Sequence, residues 1–408
     1  MPSFSIALSG LQADSTALST IGNNLANLNT TAFKKQDVNF ADMFYQTVGT
    51  SGSSAPMQVG IGTRVSSISS DFSQGNLNST GNATDMAING NGFFVVQQNG
   101  TNELTRTGNF QLNPTGNLVT SDGYSVMGYP VVNGAIDTNA ALIAMNVPTA
   151  KTQLAHATTG FSFTTSLNSS SDVGATYTSS MPMYDSQGTA HNVSVTFTKT
   201  ANNEWSYSVS MPGGDATTTT NNTGTLEFNS DGTLASPTGD VTGISFSGLA
   251  GGAGDMTLDW SLRDANGNSL ITQSAGTSST NSSLQDGYPS GTYKSFSVDA
   301  QGVVRATYTN GGTEVLGQIA IATVASPESL GRLGSNLYTV NQASGAMDIG
   351  VAGSGSRGNI SDSTLEQSNV DISTEFANLI VAQRSFEANS KTVTAFDTIT
   401  QDTINMIR

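Results

Sequence analysis

The side chains that catalysis or metal binding would use are few in this chain, which has two histidines and no cysteine. His156 and His191 lie in separate strand-like segments, and neither belongs to a serine or carboxylate motif of a hydrolase. Residues 264–268 read DANGN and place oxygen ligands at alternate positions, as the opening of a calcium loop does. Ala275 stands where the closing carboxylate of that loop belongs. These residues therefore predict a turn, and no metal site or catalytic centre.

The glycine-rich run NGNG at residues 89–92 has the composition of a phosphate cradle but leads into FFVV, a strand pattern. A phosphate cradle requires a helix at that point, so the run predicts a hairpin turn. The absence of cysteine excludes thiolate zinc sites, disulfides and cysteine nucleophiles. We expect no cofactor and no enzymatic activity. Acidic pairs for glycoside hydrolysis stay open on sequence alone, so a secreted carbohydrate-active β-protein is the enzymatic alternative.

The charge balance also excludes classes of partner. The chain of 408 residues carries 14 Lys and Arg against 30 Asp and Glu, a formal net charge of −16. Nucleic-acid binding needs clustered basic residues, so it is excluded. No window of about 18 apolar residues occurs, so we expect no membrane-spanning helix. The first ten residues lack a basic region and a continuous apolar run, so we expect export without a cleavable signal peptide.

The first segment predicts a helix with an apolar seam. Its seam positions follow a spacing of 4-3-4-3-4-3-3, close to a heptad: Phe4, Leu8, Leu11, Ser15, Leu18, Gly22, Leu25 and Leu28. Asp14 is the only charged residue among the first 33, whereas an ordinary surface helix carries charges on its outer face. Such a helix either packs on several sides in an assembly or is buried within its own monomer.

The last segment mirrors the first. Asp371 or Ser373 offers an N-cap and Glu375 is suitably acidic for the first turn. Apolar residues then recur at helical spacing without Pro or Gly through Arg408. The two helices most simply pair with each other, coiled-coil-like, and form an assembly core. The predicted assembly interface comprises Phe4, Leu8, Leu11, Leu18, Asn23, Asn24, Leu25, Leu28, Phe376, Leu379, Ile380, Phe386, Val393, Phe396 and Ile399.

The middle of the chain predicts a β-rich region, because turn residues recur every 8 to 12 positions between runs of Val, Ile, Thr, Tyr and Phe. Strand–turn–strand patterns occur at residues 110–118, 228–234 and 296–304. The fold class is mainly β and multidomain, with paired terminal helices. We expect the polymer core at residues 1–71 and 345–408, an inner β domain at 72–148 and 291–344, and an inserted outer β domain at 149–290. Residues 49–60 and 345–358 are rich in Ser and Gly and predict linkers that act as compliant joints.

Four blocks of sequence resemble a known family. They are ALSGL at 7–11 with IGNNLAN at 21–27 and TAFK at 31–34; MAINGNGFF at 86–94; TRTGNF at 105–110 with GNL at 116–118 and DGY at 122–124; and LEQSNVD at 365–371 with IVAQRSF at 380–386. Together they resemble the bacterial flagellar axial proteins, the family of rod and hook subunits. The length, the predicted outer domain and FADMF at 40–44 resemble its hook branch, with a distal-rod-type subunit as the alternative within the family.

This resemblance implies a structural subunit that polymerises with itself into a flexible tube on the bacterial flagellum, outside the cell and attached to the basal body. It implies export through the flagellar type III apparatus. Its further implied partners are the rod, hook cap and hook–filament junction proteins. A first helix with a single charged residue agrees independently with a densely packed tubular core.

Overall fold

The structure is a computed structural model that describes residues 2–50, 56–213 and 215–406. The chain forms two compact units. The first consists of Met1–Pro148, Phe296–Ala306 and Glu314–Arg408, and the second of Thr149–Ser295 and Thr307–Thr313. The fold is mainly β with two long helices, as the sequence predicts, and both helices belong to the first unit.

The first unit begins with a helix and continues in short strands. Their bounds are α1 Pro2–Ala26, β1 Gln36–Asp42, β2 Tyr45–Thr50, β3 Pro56–Gly60, β4 Thr63–Ser70, β5 Leu77–Ser79, β6 Met86–Asn89, β7 Phe93–Gln98, β8 Thr101–Thr105, β9 Gln111–Leu112, β10 Leu118–Val119, β11 Ser125–Val132, β12 Ala135–Ile136 and β13 Ile143–Ala144.

The second unit follows in the chain. Its strands are β14 Thr152–Gln153, β15 Gly160–Asn168, β16 Thr176–Tyr184, β17 Ala190–Ala201, β18 Glu204–Ser210, β19 Thr218–Thr220, β20 Thr223–Phe228, β21 Leu234–Ser236, β22 Val241–Ser247, β23 Met256–Trp260, β24 Ile271–Ser274 and β25 Ser279–Gln285. Three strands contain residues of both units: β26 Gly291–Val298, β27 Val303–Tyr308 and β28 Thr313–Thr323. The first unit is completed by β29 Gly331–Gly334, β30 Leu337–Thr339, β31 Asp348–Val351, β32 Asn359–Asp362, β33 Thr364–Glu366 and α2 Ile372–Met406.

The main sheet of the first unit runs in the order β27-β28-β11-β7-β8-β30-β29. Strand β7 reads FFVVQQ, and its first four residues are buried, because side chains on both faces of this strand are covered. Phe72, Phe93 and Tyr338 meet with ring centroids 5.3 to 5.8 Å apart in edge-on and tilted contacts. This apolar core anchors the segments that lead to the helices.

Two short strand pairs bring the early and late parts of the chain together. Strand β32 pairs with β6, with Ile360 opposite Ile88, and β33 pairs with β5, with Leu365 opposite Asn78. The segment that precedes α2 therefore lies beside the segment that follows β4. Strands β1 and β4 form a separate two-stranded ribbon next to α1.

The second unit is a β-sandwich. One sheet runs β19-β22-β23-β15-β24 with β25 also paired to β15, and the other runs β16-β17-β18-β20-β21. Burial alternates along β15 and β17, and a single apolar core takes side chains from both sheets, including Phe163, Phe197, Trp205 and Trp260. This alternation produces the core, since one face of each sheet is buried.

The two predicted linkers contain strands. Residues 49–60, of which 51–55 lie outside the described residues, include the end of β2 and the whole of β3, which pair antiparallel. Residues 345–358 include β31, which pairs with β28. In the second segment Arg357 Nη2 lies 2.8 Å from Asp348 Oδ2, and Gly353 turns with φ 74°. Several of its glycines form turns, and the segment contains a strand where its composition predicted a linker. All three predicted strand–turn–strand segments are present.

Candidate assembly surface

Helix α1 forms because its first residue, Pro2, suits the opening turn and its interior is free of Pro. Within α1, Gly10 and Gly22 are the weak points in propensity. Helix α2 begins at Ile372, and Asp371 caps it: Asp371 Oδ1 accepts a hydrogen bond from Thr374 N at 2.7 Å. This hydrogen bond holds the pKa of Asp371 below its ordinary range. Of the two predicted caps, Asp371 is the one used.

The two helices pack antiparallel. Asn24 near the end of α1 lies 3.4 Å from the Oε2 atom of Glu375 near the start of α2. Farther along, Asn389 Nδ2 donates to Asp14 Oδ2 at 2.8 Å. From the first pair to the second, the residue number falls along α1 and rises along α2, so the helices are antiparallel. Because α2 is the longer helix, its last turns extend past the start of α1.

Asn24 fastens this helix pair to the ribbon. Its side chain bonds to the backbone of Gln36 as a neighbouring strand would: Nδ2 donates to Gln36 O and Oδ1 accepts from Gln36 N, both at 2.9 Å. The residue is 1% exposed. Asn24, predicted at the assembly interface, therefore lies inside the monomer, where it joins α1 to β1 and approaches α2.

The other predicted interface residues divide by exposure. Large apolar side chains that stay exposed in the monomer are Phe4, Leu8, Phe376, Ile380, Phe386 and Ile399, and the polar Asn23 is also exposed. Half-buried side chains are Leu11, Leu18, Leu25, Leu28, Leu379, Val393 and Phe396. The seam of α1 is thus only partly covered by α2. In place of leucines, the buried positions of α1 are Ala7, Ala13, Thr20 and Asn24.

Further exposed apolar side chains extend this surface beyond the predicted set. On α2 they are Ile372, Val381, Ile404 and Met406, and around the ribbon they are Phe40, Phe44, Tyr45 and Ile68. Phe44 is 88% exposed and Ile380 is 58% exposed, which is unusual for side chains of this size. Val381 and Ile404 are apolar residues of the α2 sequence, but they lie outside the seam positions that the spacing predicts.

Two cavities flank α1. One of about 730 Å³ lies between α1 and the start of β4, where Leu8, Ala13 and Val65 are among its lining residues. The other, of about 340 Å³, lies among α1, β1 and α2 and includes Ile21 and Ala382. The helix pair and ribbon therefore present a grooved apolar surface rather than a closed core.

The residues considered for chemistry lie elsewhere. In the second unit, His156 stacks on Tyr288 with centroids 5.4 Å apart, and the buried His191 lies 3.1 Å from Asp185 Oδ2. Asp264 Oδ1 accepts from Asn268 N at 2.8 Å, as the predicted turn requires. Among the residues that the structure describes, no group of three or more His, Asp or Glu is placed to hold a metal, and no helix is long and apolar enough to cross a membrane.

Four family models match separate parts of the chain. Residues 4–34 match the flagella basal body rod protein model and 361–406 the flagellar basal body rod FlgEFG protein C-terminal model. Residues 87–161 match the flagellar hook protein FlgE/F/G D1 domain, and 165–288 match the flagellar basal body protein FlaE D2 domain.

Whole-length relatives agree with these models. The chain is 36% identical to the flagellar hook protein FlgE of Salmonella typhimurium, over 99% of this chain and 100% of the relative. It is 32% identical to the flagellar hook protein FlgE of Borreliella burgdorferi, over 100% of this chain and 99% of the relative. The crystal structure of Helicobacter pylori flagellar hook protein FlgE2 covers 71% of this chain and is itself covered completely, at 15% identity and a TM-score of 0.54, which supports the fold.

Proposed function

The chain belongs to the flagellar hook protein family, and we propose that its copies polymerise through the helix pair into a flexible tube that transmits torque from the rod to the filament. It is a structural subunit of the flagellar hook. In this proposal α1, α2 and the ribbon form the polymer core, with residues 1–71 and 345–408 as its extent. The inner β domain is 72–148 and 291–344, and the outer one is 149–290.

The observation that carries the proposal is the exposed apolar surface of the two helices. Phe376, Ile380 and Ile399 are each more than half exposed on α2. Fully burying an apolar side chain of this size stabilises it by about 1.5–3 kcal/mol relative to leaving it in water. Contact between copies that buries these side chains would therefore be favourable. Helices in water owe most of their stability to packing, and α1 and α2 cover only part of each other's apolar residues.

The composition of α1 supports a position inside a tube. Asp14 is the one charged residue in its sequence, and it is bonded to Asn389 of α2. A helix whose remaining polar residues are Ser, Thr, Asn and Gln packs against copies of itself without burying unpaired charge. The same polar, weakly charged surface suits the wall of a channel through which unfolded subunits pass.

The family supports the remaining partners. We propose that the subunit leaves the cell through the flagellar type III apparatus and contacts the rod, the hook cap and the hook–filament junction proteins. We propose no catalytic role and no cofactor. A chain without cysteine needs no disulfide chemistry before or after export, which agrees with this route.

Assembly of the purified full-length chain tests the proposal. Raising the salt concentration screens repulsion among copies of an acidic chain with a net charge of −16 and should allow the apolar surfaces to meet. Electron microscopy should then show tubes. Persistent monomers across salt, concentration and seeding with tube fragments would contradict the proposal.

A further inference from the structure

Three charged side chains meet beneath the helix pair, inside the first unit. Lys34 lies between α1 and β1, Glu366 ends β33 just before α2, and Arg106 follows β8 of the main sheet. The side chains of Lys34 and Glu366 are 0% exposed and that of Arg106 is 4% exposed. We call Lys34, Arg106 and Glu366 the charged cluster.

Glu366 is the centre of the charged cluster. Its Oε1 atom accepts from Lys34 Nζ at 2.7 Å and from Gly75 N at 2.9 Å. Its Oε2 atom lies 3.2 Å from Arg106 Nε, and its backbone O accepts from Ala32 N at 2.8 Å. One residue thus binds the segment after α1, the segment after β4 and the main sheet.

The two cations bind backbone oxygens as well. Lys34 Nζ donates to Ser73 O at 2.7 Å, and Arg106 Nη1 donates to Gly90 O at 2.8 Å and Gly92 O at 2.7 Å. Burial lowers the pKa of Lys34 and of Arg106, although Glu366 acts in the opposite direction on both. The carbonyl groups and one carboxylate together compensate two buried positive charges.

Such a cluster is a poor way to gain stability, because apolar residues of similar volume often stabilise a fold as well or better. Within it, Arg106 Nε and Glu366 Oε2 form an ion pair without a hydrogen bond, and the other contacts are hydrogen bonds. What such a buried cluster does impose is a restricted arrangement of the segments that carry it. Here those segments are the two places where the chain passes between the helices and the β-strands.

Neighbouring contacts restrain the same two passages. Asn369 Oδ1 accepts from Lys35 N at 2.8 Å, and Asn369 Nδ2 donates to Asp71 O at 2.9 Å. A Cβ on Gly75 would lie 2.0 Å from Gln367 O, so the backbones themselves touch. Hydrogen bonds and backbone contacts therefore hold residues 31–36 and 365–371 in place, and the structure describes both segments throughout.

We infer that the charged cluster is a positioning site that joins α1, α2 and the main sheet of the first unit into one rigid body. The consequence of this inference rests on the proposed function. In a tube of such rigid bodies, bending would occur by sliding between copies, without a hinge between the helices and the main sheet. The predicted compliant joints at 49–60 and 345–358 are then unnecessary, since both contain paired strands.

Electron-spin distance measurements test the inference in the full chain, which offers a cysteine-free background. Spin labels are attached at Gln383→Cys on α2 and Thr101→Cys on the main sheet, which are both exposed sites. The distance between the two labels reports the position of α2 relative to the main sheet. Labelled chains are measured as monomers and, diluted with unlabelled chains, in tubes. The unaltered cluster should give a narrow distance distribution in both.

Replacing the cluster by Lys34→Met, Arg106→Met and Glu366→Met together keeps its volume and removes its charges. We expect a midpoint of thermal unfolding that is equal or higher, yet a distance distribution about twofold broader, because apolar contacts admit several arrangements. Trypsin should also cut after Lys35 faster than in the unaltered chain. Glu366→Gln is the second variant, in which the two cations lose their carboxylate, and it should broaden the distribution even where it still folds.

The exposed pair Arg384–Glu387, at 3.2 Å on α2, gives the matched control: Arg384→Gln with Glu387→Gln should change neither the distance nor the trypsin rate. A triple Met variant with an unchanged narrow distribution would overturn the positioning role. Failure of the unaltered chain to form tubes would instead contradict the proposed function, while the monomer distances would still decide the inference.

Discussion

Gly10 of α1 lies so close to Asn389 of α2 that a Cβ on Gly10 would be 2.7 Å from the Nδ2 atom. That amide also donates to Asp14, so the close approach and the polar bond between the helices depend on each other. Gly10→Ala should therefore displace Asn389 and cost the bond to Asp14. The gain in helix propensity, about 1 kcal/mol, should be offset, leaving stability unchanged or lower.

Gly22→Ala is the matched control on the same helix, because nothing lies within 4 Å of a Cβ built there. It should show the full gain in propensity. Helicity by circular dichroism and hydrogen exchange in α1 measure both variants. Equal gains from the two substitutions would mean that the helices do not approach closely at Gly10.

Phe376→Asp should block tube formation and leave the monomer folded. The side chain is 52% exposed, so a charge there costs little until another copy covers it. Leu25 and Phe396 are half-buried within the monomer and would test packing and assembly together. Sedimentation and electron microscopy measure assembly, and Val173→Asp, at an exposed site of the second unit, is the control. Normal tubes from Phe376→Asp would place this face of α2 in solvent.

Asn24→Asp should loosen the base of the helix pair by about 1–3 kcal/mol. Aspartate keeps the acceptor for Gln36 N but loses the donor to Gln36 O, and it brings a second carboxylate toward Glu375. Hydrogen exchange at Gln36 and in the first turns of α2 should rise. Asn23→Asp, one position away and exposed, should leave exchange at Gln36 unchanged. Equal increases in exchange from the two substitutions would show that the bonds from Asn24 to Gln36 do not stabilise this region.

Acid should weaken the second unit through Asp286. Burial acts to raise the pKa of this carboxyl, but hydrogen bonds from Thr159 and from Gly160 N outweigh burial and lower the pKa below its ordinary 3.8. The stabilising contribution is therefore complete above the unfolded-state value and disappears as pH falls through the lower folded-state value.

Tryptophan fluorescence can follow this transition selectively, since both tryptophans, Trp205 and Trp260, lie in the second unit. Asp286→Asn should lower the unfolding midpoint at pH 7 and flatten its dependence below pH of about 4. Asp255→Asn, at an exposed position of the same unit, serves as the comparison. An unchanged acid profile in Asp286→Asn would assign acid sensitivity to other carboxyls.

Replacing residues 149–290 by a short Gly/Ser linker should still allow tubes, but straighter ones. The deletion leaves β26 whole to pair with β27, and it removes no residue of α1 or α2. A linker is tolerated because loop-closure entropy grows slowly with length. Electron microscopy measures curvature, and circular dichroism checks that the remaining β-strands fold. A folded chain that never polymerises would place essential contacts in the outer β domain.

Local patterns in the sequence were enough for the helices and for several turns. The hairpin predicted at residues 89–92 was wrong, because β6 pairs with β32 and β7 pairs with β8. The leucine spacing of α1, the cap at Asp371 and the turn at Gly232, which has φ 85°, each depend on a few neighbouring residues. The strand β31 was missed because its partner β28 is distant in the chain, so composition alone indicated a linker.

The charged cluster escaped prediction for the same reason, since Lys34 and Glu366 are 332 positions apart. A signal was nevertheless present. Only 11% of residues are charged, and Lys34, Arg106 and Glu366 each stand within one of the recognisable sequence blocks. Charged residues are few in these blocks, so they were the ones to suspect of being buried together.

The antiparallel pairing of α1 with α2 also sets an order in time. Asn24 and Glu375, which meet at the base of the pair, are separated by 351 positions, so α1 has no partner until almost the whole chain has been synthesised. Contacts of such long range form late in folding. The paired-helix surface is therefore completed last, and a chain that lacks α2 does not have it.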